Sequence, residues 1–409
     1  MGKSIQHPHL IIITGEFPFL KTETFLETEI EYLSKAFEKI TIVPSKSGGF
    51  SRSVPANVII DKSYSIEFKK KYRKFKSVFY LLFLEGLWIH KKYFFNLNAL
   101  RRINSFVSDA MITKEWLNKY LSANKESIII YTYWFNGKTF GATSVSKENK
   151  NIKVASRVHR YDLYDYWFKP AFWPFRQKAL NNLNYLYFIS DDGEKYLIDK
   201  YKLKDNEYGV FRLGVKENNI IASRSADNIL RLVSVSGLIP VKRVMLLAKY
   251  LSEYCIKNGQ CNIHWCHLGD GFLKPSILEY LVTQAPQNLE YDFKGQQTNA
   301  EVFKYYKTNA VDLFINISES EGIPVSIMEA QSCGILVAAT DVGGTPEIVN
   351  ENSGILLPAN PSYDDIENVL DNIENYLKKY TAVEIKLFWD FYFNADHNYK
   401  KFATHLSGL

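Results

Sequence analysis

Two α/β domains, each a parallel sheet with helices on both faces, are the architecture that three features of this sequence predict. Short apolar runs of strand length alternate with longer segments of helical spacing, an order that goes with βαβ units rather than hairpins. The alternation restarts at Leu230, after Arg212-Leu213-Gly214-Val215 and a polar stretch, Lys216–Asn228, that reads as a linker. A chain of 409 residues with 46% hydrophobic content is also long enough to build two sizeable cores.

Taken in order, the predicted strands of the first half are Leu10–Thr14, Ile40–Val43, Ile128–Tyr133, Val154–Val158 and Tyr185–Ser190. In the second half they begin at Leu230 and recur at His264–Leu268, Leu289–Phe293, Leu313–Ile317 and Leu336–Ala339. Each is a short apolar run of the kind buried on both faces of a parallel sheet. The domain boundaries that follow are 1–220 and 221–380, with 381–409 as an aromatic tail of helical pattern from Phe388 to Phe402.

Composition excludes several classes. A formal net charge of only +6, with no nucleic-acid motif, argues against a nucleic-acid partner. Four cysteines give no disulfide framework and fit a reducing cytoplasm. Cys261-Asn262-Ile263-His264-Trp265-Cys266-His267 has metal-ligand residue types, but it lies where a strand is expected, and alternation points Cys261 and Cys266 to opposite faces. The run His9–Thr14 is too short for the apolar region of a signal peptide. The longest apolar run, Ser77–His90, is interrupted by Glu85 and falls below the roughly 20 residues needed to span a bilayer.

The most informative segment is Glu319-Ser320-Glu321-Gly322-Ile323-Pro324-Val325-Ser326-Ile327-Met328-Glu329-Ala330, which follows the strand-like Val311–Ile317. It puts Glu321 in a loop at a strand end and Glu329 two turns into a helix, with the helix N-terminus between them. Ligands of open α/β sheets bind at such strand ends, and exposed helix amides favour an anion such as a diphosphate. A nucleotide sugar has this layout, with hydroxyl groups on either side of a diphosphate. The competing reading of Ser326-Ile327-Met328-Glu329 is a capping box, in which Glu329 satisfies only a backbone N–H.

Ser318–Val349, ending in Thr340-Asp341-Val342-Gly343-Gly344-Thr345-Pro346-Glu347-Ile348-Val349, closely resembles the donor-site signature of family-4 retaining glycosyltransferases of the GT-B fold. The resemblance implies two Rossmann-like domains facing a central cleft, the first for the acceptor and the second for the donor. It gives donor-sugar hydroxyls to Glu321 and the ribose to Glu329, and adds Gly322, Ile323 and Gly15 to the donor-binding set. Pro324 and Ser326 stand where the family more often has Gly and Pro, and Pro324 has no amide hydrogen for a backbone contact. Upstream, Leu232–Val244 resembles the segment in which the family grips the diphosphate with an arginine and a lysine. Lys242 aligns with the lysine, whereas Gly237 stands at the arginine position. Arg243 follows Lys242, where glycine is usual, and is a candidate second cation.

The first half resembles bacterial polysaccharide-assembly members of the family. Gly15-Glu16-Phe17-Pro18 and Glu23–Ile30 match the loop that faces the cleft, making Glu23 and Thr24 candidate acceptor contacts; the alternative has Thr24 and Glu27 as a helix cap and its box. Arg157-Val158-His159-Arg160-Tyr161-Asp162 resembles the family's histidine-x-x-aspartate loop over the reaction centre, giving His159 a sugar-contacting role and Asp162 an acceptor hydroxyl. The tail resembles a terminal helix that crosses back onto the N-terminal domain.

These matches imply transfer of a sugar from a UDP- or GDP-sugar to a saccharide acceptor, with retention by front-face attack and no required protein base. No Asp-x-Asp occurs, so a metal–diphosphate clamp has no evident ligands, and metal-independent catalysis with no cofactor beyond the nucleotide-sugar co-substrate is expected. Lys242 and helix amides then offset the leaving-group charge. A nucleotide-sugar hydrolase or epimerase, or a non-catalytic binding subunit, are the other readings. Lys69-Lys70-Lys71-Tyr72-Arg73-Lys74-Phe75-Lys76, followed by Val78–Phe83, Trp88, Tyr93 and Phe94, sets basic residues beside aromatic ones. That pattern suits peripheral attachment to the cytoplasmic face of an inner membrane and a lipid-linked acceptor there, the alternative being a solvated helix face.

Overall fold

The computed structural model describes residues 8–20, 22–70, 72–122, 126–204 and 207–409. Thirteen strands form in chain order: β1 His9–Thr14, β2 Ile40–Pro44, β3 Val58–Ile60, β4 Ile128–Thr132, β5 Ile152–Val158, β6 Tyr185–Phe188, β7 Tyr208–Val210, β8 Ile229–Val235, β9 Asn262–Leu268, β10 Leu289–Gly295, β11 Leu313–Asn316, β12 Val337–Thr340 and β13 Ile355–Leu357. They make two sheets, β3-β2-β1-β4-β5-β6-β7 and β10-β9-β8-β11-β12-β13. Every pairing within them is parallel. The predicted strands all appear. The three unpredicted ones, β3, β7 and β13, have three residues each, too short to show a periodicity, and all three lie at sheet edges.

The chain divides into two compact units, one of residues 1–212 with 398–409, the other of 213–397. The division falls earlier than residue 220 because Val215 is tied to the second unit: its N–H donates to Phe393 O, and its carbonyl accepts from Ala395 N, both at 2.9 Å. The tail also splits. Ala382–Phe393 packs against the helix Val325–Ser332 of the second unit, while most of Ala395–Ser407 belongs to the first. There Tyr399 packs on Tyr32, and Phe402 on Tyr131 and Tyr187.

Strand order decides where loops meet. In the first sheet β1 lies between β2 and β4, and in the second β8 lies between β9 and β11. At each of these points the connections leave the sheet in opposite directions, so the loops after β1 and β4, and after β8 and β11, open a crevice at the carboxyl ends of the strands. All six residues of β1 and all five of β4 are buried, as parallel strands covered on both faces require.

Candidate functional site

In the second unit the chain leaves β8 through Ser236–Ile239, makes one turn at Pro240–Lys242, and enters the helix Val244–Lys257. The backbone N–H of Glu319, in the loop after β11, donates to Val241 O at 2.8 Å and joins the two loops. Lys242 Nζ then donates to Glu321 Oε1 at 2.5 Å, and Asn316 Nδ2 donates to the same oxygen at 3.3 Å. Burial pushes the Glu321 carboxyl up, but the Lys242 charge and the hydrogen bonds from Lys242 and Asn316 outweigh it and hold it below the usual carboxylate range. Glu321 is therefore an ionised group held inside the protein by one lysine.

Glu329 has a different environment. It lies in the helix Val325–Ser332, buried, and its Oε1 accepts from the side chain of Asn299, the first residue of the helix Asn299–Thr308. Burial, opposed only by that hydrogen bond, lifts its carboxyl to about 8. The capping box does not form. Pro324 occupies the cap position with no side-chain bond to the helix, and Glu329 is turned to Asn299.

The turn Val342–Thr345 closes against the glutamate loop, with Gly344 N donating to Gly322 O at 2.7 Å. Gly343 has φ +53°, and a Cβ built there lies 2.0 Å from Glu321 O, so only glycine permits this approach. Ile323 is buried beside it. Gly237 is under no such constraint, since the nearest atom to a built Cβ is Asp270 O at 3.8 Å. Arg243 is left-handed at φ +51°, which accounts for the glycine usual there. Its guanidinium donates to Ala359 O at 2.8 Å and Asn360 Oδ1 at 2.7 Å, so it is committed to that turn and does not join Lys242 on Glu321.

In the first unit, Glu23 is a clasp rather than an open carboxylate. It accepts from the backbone N–H groups of Gly15, Glu16 and Phe17, each at 2.7 Å, and from Trp134 Nε1 at 2.5 Å. The acceptor contact expected of Glu23 is thus taken up by four internal donors, which fix the loop after β1 against the loop after β4. Thr24 is exposed and makes no side-chain cap bond, and Glu27 pairs with Arg52 at 3.4 Å, so neither the cap nor its box forms. Asp162 is likewise internal. Its two oxygens accept from His159 N at 2.7 Å and Phe135 N at 2.6 Å, and burial lifts its carboxyl to about 7 against those bonds. Both oxygens are thus engaged by backbone N–H groups inside the protein.

His159 differs from these two. It is buried against Tyr133 and Trp134, with ring centroids at 4.7 Å, and neither ring nitrogen has a hydrogen-bond partner among the described residues. Burial and then the Arg157 charge hold it well below the ordinary imidazole range, so it is neutral and offers one donor and one acceptor. Gly15, Trp134 and Lys138 line a cavity of about 520 Å³ at the β1–β4 crevice. Sequence reasoning missed Asn299, Asn316, Trp134 and Lys138, which sit in no matched motif and are brought in only by the fold.

Of the basic run, Lys71 lies outside the described residues. Lys70 pairs with Glu67, Arg73 with Asp109 and Lys76 with Glu115, and Lys69 donates to Ser47 O. The apolar residues beside it are less satisfied: Phe75, Phe79, Leu81, Trp88 and Phe95 are exposed, Phe95 at 95%. No helix among the described residues is long and apolar enough to cross a membrane, and no group of three or more His, Cys, Asp or Glu among them could hold a metal ion.

Residues 215–383 match the family model of glycosyl transferases group 1. Escherichia coli WbnH, an O-antigen biosynthesis glycosyltransferase, is 31% identical over 186 residues, 42% of this chain and 50% of that protein, so the chain spans about half the length of such a relative. Two solved structures align along nearly the whole chain. The apo lipopolysaccharide outer core galactosyltransferase WaaB has a TM-score of 0.68 at 16% identity, covering 98% of this chain and 100% of its own. Anabaena HepE, solved with UDP and glucose, has a TM-score of 0.63 at 15% identity, with the same coverage. At these identities the likeness bears on the fold, two parallel α/β sheets of the GT-B kind. Residues 215–383, which include Lys242, Glu321 and Glu329, match the glycosyl transferases group 1, and the chain that carries them has the GT-B fold.

Proposed function

We propose that this chain is a retaining glycosyltransferase that moves a sugar from a UDP- or GDP-sugar to a saccharide acceptor, without a metal ion, in the assembly of a bacterial surface polysaccharide. The observation that carries the reading is the arrangement of the second unit's crevice. There the ionised Glu321 and its Lys242 stand on one side of a helix N-terminus, and the buried Glu329 stands within that helix. A nucleotide sugar supplies a partner for each: sugar hydroxyls for Glu321, the diphosphate for Lys242 and the first-turn amides, and ribose hydroxyls for Glu329. In this reading Lys242 would meet the oxygen on which negative charge grows as the glycosidic bond breaks, where a preorganised cation lowers the barrier most. Attack from the same face lets the leaving phosphate take the acceptor proton, so no protein base is needed. The likeness to WbnH, an O-antigen glycosyltransferase, and to WaaB, a lipopolysaccharide galactosyltransferase, supports a surface-polysaccharide role, and HepE with bound UDP supports a nucleotide-sugar donor.

The acceptor is proposed to be lipid-linked and the protein to work at the cytoplasmic face of the inner membrane. Support comes from Lys69–Lys76 together with the exposed Phe75, Phe79, Leu81 and Trp88. Aromatic and aliphatic side chains beside lysines suit the headgroup boundary of a bilayer. The test of the reaction is a thermal-shift panel of UDP- and GDP-sugars, followed by assay of nucleoside diphosphate release with and without acceptor. Release only with acceptor supports transfer, release without it favours hydrolysis, and binding with no release favours a non-catalytic subunit.

A further inference from the structure

The cavity in the first unit, at the crevice between the loops after β1 and β4, has walls of two kinds. Phe68, Trp134, Tyr161, Phe168 and Trp173 supply ring faces and edges on which the C–H face of a pyranose can pack. Charged groups supply the rest, and the acidic ones are already engaged. Glu23 accepts its four donors, Glu16 pairs with Lys46 at 2.8 Å, and Asp109, which also faces Lys138, is held by Arg73 at 2.5 Å.

Two cations in the wall, Lys138 and Arg102, have no carboxylate within ion-pair distance among the described residues. Arg102 Nη1 donates to the carbonyls of Pro170 at 2.6 Å and Phe172 at 3.1 Å, and the guanidinium stacks on Phe168 at 4.1 Å. These contacts hold it in place without neutralising it. Lys138 is only 7% exposed, and among the described residues its ammonium makes one hydrogen bond, to Thr14 O at 3.3 Å. Burying an ammonium costs free energy unless its three N–H donors are used, and here two are left over. It stands in the first turn of the helix Gly137–Ser146, whose positive end adds to its potential.

We infer that this cavity takes the anionic group of a charged saccharide acceptor, phosphate or carboxylate oxygens meeting Lys138 and Arg102 while the pyranose lies on the aromatic wall. The inference rests on the glycosyltransfer reading only in calling that ligand the acceptor. A phosphate fits a lipid-linked saccharide, and a carboxylate fits a uronic acid at the growing end.

Calorimetric titration of the full chain with glucose 1-phosphate, glucuronic acid and methyl glucoside tests it, in the native protein and on a Lys242→Ala background that removes the second unit's phosphate-binding lysine. On both, one of the anionic probes is expected to bind at least tenfold tighter than methyl glucoside, the tighter one identifying phosphate or carboxylate as the source. Lys138→Met is expected to lose at least tenfold for that probe, leave methyl glucoside unchanged, and keep or raise the unfolding midpoint, while Lys138→Arg keeps most of the affinity. If Lys138→Met fails to fold, Arg102→Gln carries the same expectation. Equal binding of the three probes, or native affinity in both neutralised variants, overturns the assignment. UDP and GDP titrated into the same protein report on the second unit separately, so failure of the donor reading shows as absent nucleotide binding whatever the cavity does.

Discussion

Lys242 Nζ and Glu321 Oε1 lie 2.5 Å apart, and the lysine is largely shielded while the glutamate is almost fully buried. Lys242 keeps Glu321 charged where it is. Lys242→Met therefore strands a buried carboxylate. The expected outcome is a loss of about 1–3 kcal/mol of stability at neutral pH, together with weaker nucleoside diphosphate binding, read by denaturant titration and calorimetry. Since Glu321 is held below its ordinary range, its stabilising contribution is present at neutral pH and is lost as pH falls through its lowered folded value. The variant should flatten that acid limb. Native nucleotide affinity in Lys242→Met would count against the donor site.

Glu329 runs the other way. Its folded value of about 8 exceeds the ordinary 4.5, so the folded state holds its proton more tightly than the unfolded chain does, and stability falls as pH rises between those values. Glu329→Gln is expected to be as stable as the native protein near pH 5 and more stable near pH 8, yet to bind nucleotide more weakly. Thermal melts at the two pH values check the first point, and nucleotide titration the second.

Gly237→Arg is expected to fold normally, within about 0.5 kcal/mol of the native protein, because the built Cβ meets nothing nearer than 3.8 Å. One added charge-assisted hydrogen bond to a diphosphate is worth roughly 1.5–3 kcal/mol, so nucleoside diphosphate affinity should rise about tenfold or more. Unchanged affinity would show that the position does not face the diphosphate.

Gly343→Ala should be among the most damaging single changes in the second unit. The φ of +53° and the 2.0 Å approach to Glu321 O leave no room for a methyl group without moving the glutamate loop. A loss above about 2 kcal/mol and of nucleotide binding together is expected, whereas Gly259→Ala, with open space around it, serves as the neutral control.

For membrane attachment the pairing of Lys70, Arg73 and Lys76 with nearby acids shifts the expected weight from charge to apolar contact. Phe79→Ser with Leu81→Ser and Trp88→Ser should abolish pelleting with anionic vesicles, while Lys69→Gln with Lys70→Gln and Lys74→Gln should lower it mainly at low salt. Equal pelleting of all forms would return the segment to a solvated face.

The long buried strands were legible because runs such as Ile11-Ile12-Ile13 and Ile128-Ile129-Ile130 leave no other economical arrangement, and the pairing of two glutamates around a helix start was legible from spacing. What the sequence could not reveal were contacts closed by topology. Asn299 reaches Glu329 across 30 positions, Trp134 reaches Glu23 across 111, and Lys138 meets Thr14 across 124. The same limit hid the internal partners of Glu23 and Asp162. Both are acidic residues in loops after strands, as ligand-binding carboxylates are, but here N–H groups of their own loops and of the loop after β4 surround them.

Residues 398–409 have a consequence for synthesis. They complete the first unit's interior: Phe402 covers the guanidinium of Arg157 at 4.0 Å, and that arginine forms a fully buried ion pair with Glu29. On the ribosome these residues emerge only after the whole second unit has been made, so the unit translated first waits longest for its last layer. Until then Tyr131, Tyr187 and the Arg157–Glu29 pair face water or a chaperone. A nascent chain stalled before Asn398 should therefore carry a complete second unit and a first unit with one side of its interior uncovered.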